Sequence, residues 1–127
     1  METKQALRDF EVIVAQHDAL TAYEQRASSL EFRNFLLGAR AALEWVLGRA
    51  TLTPASRVPR SVTVSRMVRE EQYCDQLIYA PAPRPVLDPD YANGVEHALA
   101  WARGAETVPP APLETSADEE RPVCTCG

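Results

Sequence analysis

Glycine and cysteine are scarce in this chain of 127 residues, and each shortage removes a class of function. Five glycines leave little for a loop that cradles a substrate. There is no Gly-rich phosphate loop, Gly-x-Ser-x-Gly elbow, His-Glu-x-x-His helix or dinucleotide fingerprint. Three cysteines, two of them in the last four residues, do not make a disulfide framework. No apolar run approaches the roughly 18 to 20 residues of a membrane span, so no membrane association is expected. The start, Met1-Glu2-Thr3-Lys4, lacks the basic region and apolar core of a secretory signal, which points to the cytoplasm. A formal charge of -5 argues against a general binder of nucleic acid or membrane surfaces. The length suits one domain with a real core.

What is present is a repeat. Residues 35–54 align with 91–110 at a constant offset of 56, without a gap. Gly38/Gly94, Ala42/Ala98, Leu43/Leu99, Trp45/Trp101, Gly48/Gly104, Thr51/Thr107 and Pro54/Pro110 are identical, and Phe35 matches Tyr91 as an aromatic. Phe35, Gly38, Ala42 and Trp45 are spaced by three, four and three, as are Tyr91, Gly94, Ala98 and Trp101. That spacing puts each set on one face of a helix as core. Ser28 to Glu31 reads as a capping box before the first copy; Asp88-Pro89 reads as a cap and first-turn proline before the second. Gly48 and Gly104 fall where a helix ends in the left-handed conformation. Each Gly-x-x-x-Ala pair leaves a flat strip for a close neighbour, and the sharper expectation is that the two copies pack on each other about a pseudo-two-fold axis.

The wording of the repeat, aromatic-x-x-Gly-x-x-x-Ala-Leu-x-Trp-x-x-Gly followed by Thr and Pro, resembles small uncharacterised helical proteins of actinobacteria and their phages. Arginine outnumbers lysine twelve to one, and isoleucine and asparagine appear twice each, as in a high-GC genome. The resemblance covers about forty residues in two pieces and carries no functional residues.

Taken in order, residues 1–37 hold neither glycine nor proline, so nothing intrinsic interrupts a helix. Leu7, Phe10, Ile13/Val14, His17 and Leu20 predict a first helix over about 3–26. The second, about 30–47, is apolar nearly all round, with Leu30, Phe32, Leu36, Leu37, Leu43, Val46 and Leu47 outside the aromatic stripe. Such a helix is central or self-associating, and a homodimer is expected. Residues 51–60 read as a polar linker. A third helix begins near Ser65 with Val64, Met67/Val68, Cys74 and Leu77/Ile78 inward. Residues 80–85 read as an extended proline-rich connector, and the fourth helix covers about 89–103. From Glu106 onward the chain is proline-rich and acidic, and disorder is expected.

Candidate chemistry is sparse. His17 and Asp18 are adjacent on a helix, about 100° apart, and cannot form a relay; a partly buried structural histidine is the reading there. His97 reads as solvent-exposed. Glu70, Glu71 and Asp75 read as a solvated acidic face, with a carboxylate-dependent metal hydrolase as the weakest functional alternative. Cys124 and Cys126 could give two thiolates to zinc, whereas a closed site needs four ligands. Arg57, Arg60, Arg66 and Arg69 form a basic segment entering the third helix. It is a candidate phosphate contact for a DNA-associated regulator, although the short helix and tight turn that a helix-turn-helix requires are missing before it.

The sequence therefore predicts an all-α protein of four main helices in two antiparallel hairpins, related by internal duplication. The domain spans 1–105, with repeat cores at 30–54 and 86–110 and a disordered acidic tail over 106–127. The function expected is a cytoplasmic, non-enzymatic module without cofactors that binds a partner protein, encoded by an actinobacterium or a phage.

Overall fold

The computed structural model describes residues 7–26, 29–79 and 88–111. They form four helices: α1 (Phe10–Arg26), α2 (Leu30–Val46), α3 (Val64–Tyr79) and α4 (Pro89–Ala102). Among the described residues there is no strand, only an isolated antiparallel bridge between Leu52 and Pro59. None of these helices is long and apolar enough to cross a membrane. The all-α expectation holds for the part described.

Helix limits follow local chemistry. The Ser29 hydroxyl accepts the Phe32 amide at the start of α2, one residue later than the capping box expected. Ser28 lies outside the described residues. Asp88 caps α4 through the amides of Asp90 and Tyr91, with Pro89 in the first turn, where no donor is needed. The α1 helix starts at Phe10 rather than near residue 3, with the Val12 and Ile13 amides returning to the Asp9 carbonyl. Leu7 therefore lies outside the helical register, and Phe10, placed inward by the periodicity, is 62 % exposed. The inner positions of α1 are Ile13, Gln16 and Leu20.

The α2 and α4 exits are built alike. Gly48 (φ +81°) and Gly104 (φ +83°) take the left-handed conformation. The Gly48 amide bonds the Trp45 carbonyl and Arg49 that of Glu44; Gly104 bonds Trp101 and Ala105 bonds Ala100. These paired bonds satisfy carbonyls that a helix end otherwise leaves open.

One apolar cluster holds the four helices together. It includes Ile13 and Leu20 of α1, Leu36, Leu43 and Trp45 of α2, Met67 and Cys74 of α3, and Val95, Leu99 and Trp101 of α4. The most extensive packing is α2 on α4, followed by α3 on α4 and α1 on α2. Gly38 lies against the Tyr91 backbone, and Gly94 against the backbone of Phe35 and Ala39. In each case a Cβ would overlap the facing carbonyl oxygen. The helices thus touch main chain to main chain.

Two regions read as loose are ordered. Thr53, Pro54 and Ala55 of the 51–60 segment are buried, and the Thr53 amide bonds the Val58 carbonyl. Beyond residue 105 the chain runs past exposed Thr107 and Val108 to buried Ala111, whose amide donates to buried Gln16 Oε1 at 2.7 Å. Arg8 also reaches the Trp101 carbonyl (2.6 Å) and the Glu106 carbonyl (2.8 Å), with its guanidinium 4.8 Å from the Trp101 ring. Residues 112–127, with the acidic cluster of the expected tail, lie outside the described residues.

Alanine at Gly38 or Gly94 should cost about 3 kcal/mol or more, because helix backbones must separate to admit the methyl. Alanine at Gly48, where nothing stands within 4 Å of a Cβ, should cost only about 1 kcal/mol of left-handed strain. Urea unfolding of the three variants checks this order.

Candidate functional site

The loop from Leu47 to α3 is shaped by polar contacts, most of them partly buried. Trp45 Nε1 donates to the Arg60 carbonyl at 3.0 Å, tying the loop to the end of α2. Thr53 Oγ1 accepts the Val58 amide and pairs with the Ser56 hydroxyl. Thr63 begins the next helix, its Oγ1 accepting the Arg66 amide and its carbonyl the Met67 amide.

That geometry brings three of the four expected arginines together. Arg60, Arg66 and Arg69 line a cleft of about 300 Å³ with Ser61, Thr63 and Ser65. The start of α3 adds its amide ends and the positive end of the helix dipole. Arg66 Nη1 is 3.8 Å from Glu70 Oε2, a distance that leaves its charge partly available. Arg57 is not part of this cleft. Its guanidinium reaches the Pro54 carbonyl and the Tyr91 hydroxyl, both at 3.3 Å.

The acidic residues of α3 are not a solvated face. Glu70 is 1 % exposed and accepts the amides of Ala55 and Ser56, each at 3.0 Å, together with the Ser56 hydroxyl. Glu71 is also buried and takes a two-point contact from Arg103, at 2.7 and 2.9 Å. That contact holds the Arg103 guanidinium above its ordinary value. Only Asp75 is exposed. The signal was present in the spacing: residues 67, 70/71, 74 and 78 share a helical face. Among the described residues no group of three His, Cys, Asp or Glu side chains is placed to hold a metal ion. Cys124 and Cys126 lie outside the described residues.

No family model, curated protein or solved structure matches the chain.

His17 is a mostly buried histidine whose Nε2 meets Glu44 Oε2 at 3.0 Å, while Nδ1 has no hydrogen-bond partner. His97, expected at the surface, is half-buried. Its ring packs edge-on against Phe35 (centroids 5.9 Å apart), and Nε2 meets the Val108 carbonyl at 2.8 Å. Of the expected core positions, Gly38, Ala42, Trp45, Gly94, Ala98 and Trp101 are buried, while Phe35 and Tyr91 pack partly buried at the rim. Burial pushes the Cys74 thiol up to about 12, helped by the charges of Glu96, Glu70, Glu71 and Asp75. Burial also raises the Glu96 carboxyl, with Asp75 and Glu71 adding repulsion.

Glu70→Gln should cost about 2 kcal/mol, since a neutral amide replaces a carboxylate that accepts from two loop amides. Faster hydrogen exchange at Ala55 and Ser56 checks that the loss is local. Cys74 should resist thiol reagents at pH 8 in the folded protein and react once it is unfolded. Its contribution to stability is full below the unfolded thiol value of 9.0 and is lost as pH rises through about 12.

Proposed function

We propose that this chain is a non-enzymatic, cytoplasmic helical module that docks on an acidic segment of a partner protein. The observation that supports this is the cleft of Arg60, Arg66 and Arg69 with its three hydroxyl side chains, set in a chain of net charge -5. Arginine forks and hydroxyls suit carboxylates or a phosphate group. A duplex would instead meet the repulsion of the acidic remainder, and one cleft of this size spans few phosphates. The engagement of Glu70 by the loop and of Glu71 by Arg103 counts against the hydrolase alternative.

We read the architecture as two antiparallel hairpins produced by duplication of a helix with its exit loop. Supporting this, Gly38 faces Tyr91 while Gly94 faces Phe35, an exchange of equivalent positions. The pairs His17–Glu44 and Glu24–Arg40 advance in opposite senses along α1 and α2. A homodimer is a weaker part of this reading. Most of the apolar surface of α2 is used inside the chain, leaving Leu30 (69 % exposed) and Phe32 at its start for self-association.

Fluorescence anisotropy with a labelled oligoglutamate peptide, and separately with a labelled DNA duplex, tests the docking. The peptide should bind with an affinity that falls with salt, and the double variant Arg66→Ala, Arg69→Ala should lose at least about tenfold. Binding of duplex but not peptide would replace this reading with the DNA-associated regulator. Binding of neither would end both.

A further inference from the structure

A second cleft, of about 330 Å³, lies between the C-terminal half of α2, the 50–54 loop and Tyr91 at the start of α4. Its origin is a difference between the two halves of the repeat. At the offset of 56, Ala41 corresponds to His97, Leu52 to Val108, and Tyr91 to Phe35. In one half the His97 ring packs on Phe35 and bonds the Val108 carbonyl. In the other half Ala41 supplies only a methyl, and the space between Tyr91 and Leu52 stays open.

Two opposite charges line that space, each held from behind. Glu44 Oε2 meets His17 Nε2 at 3.0 Å and Arg40 Nε at 3.6 Å, and Arg40 is itself tied to Glu24 at 2.6 Å. Both contacts fall on Oε2, so Oε1 is the oxygen left for a ligand. Across the loop, Arg57 has φ +57°, a left-handed backbone that is strained for a residue with a side chain. Its guanidinium is positioned by the Pro54 carbonyl and the Tyr91 hydroxyl, and the hydroxyl donates to the same carbonyl at 3.2 Å. A strained arginine and a buttressed carboxylate on one cleft, which Ala41, Ala50 and Leu52 also line, match a short ligand with an apolar middle and opposite charges at its two ends.

We infer that this cleft binds a small zwitterion, its ammonium on Glu44 and its carboxylate on Arg57. Neither residue belongs to the Arg60–Arg66–Arg69 cleft, so this site stands or falls separately from the docking surface.

The test is titration of the full ¹⁵N-labelled chain with glycine, β-alanine, 4-aminobutanoate and 6-aminohexanoate, with hexylamine and hexanoate as singly charged controls. One chain length should give saturable amide shifts confined to residues 41–57 and Tyr91, at least about tenfold tighter than either control. Ala41→His should abolish those shifts while the thermal midpoint changes little, because the other half already accommodates the same ring. Arg57→Gly should also abolish them while raising stability, since it removes the guanidinium and the left-handed strain together. If Ala41→His fails to fold, Arg57→Gly decides. No saturable shift with any of the four, controls that bind as tightly, or undiminished binding by the folded Ala41→His or by Arg57→Gly would overturn the assignment.

Discussion

The contact of α2 with α4 at Gly38 and Gly94 is the constraint on which the rest of the molecule depends. Helices normally stand about 8 to 10 Å apart, held off by side chains between them. Here each helix presents a glycine to the other's backbone, and the aromatic residue three positions earlier lies beside the contact. Close approach brings Trp45 and Trp101 into a single core with Leu43 and Leu99. The two helices end alike, at the left-handed Gly48 and Gly104. Four of the five glycines in the chain serve these two purposes, the contact and the exits.

Polar contacts then attach the outer parts to this pair. Glu70 receives the 51–60 loop, Glu71 grips Arg103 of the α4 exit, and Gln16 takes the amide of Ala111. A buried carboxylate is costly to desolvate, and these acids are tolerated because amide, hydroxyl or guanidinium donors meet them. The Glu70 carboxylate holds the loop that carries Arg57 on one side and is 3.8 Å from Arg66 on the other. At the repeat offset Ala41 stands where the second copy has His97, and only His97 fills its space with a ring.

Much of this was legible in the order of residues. The aromatic-Gly-Ala-Trp spacing located α2 and α4 to within about a residue, and Asp88-Pro89 marked a true helix start. A helical period reports which positions share a face. It does not report what will stand opposite that face. For this reason Glu70 and Glu71 read as solvated although they share the Met67 and Cys74 stripe. Phe10 read as core because its spacing fitted, yet the helix begins there and the buried positions start one turn later at Ile13. The 51–60 loop and residues 106–111 read as loose because their order comes from partners distant in sequence, such as Glu70 and Gln16. Of the candidate site, the arginines were visible but not their division into three and one; Tyr91 read only as a core aromatic, and Glu44 carried no local signal.

Sequence alone determined the helical class, the paired glycines and the twin tryptophans, because these depend on spacing within one helix and on the lack of a Cβ. Only the tertiary structure decided which acids are buried, which arginines converge and where space is left open. Those outcomes depend on through-space donors and on the shape of a facing surface, and neither is written in the neighbours of a residue along the chain.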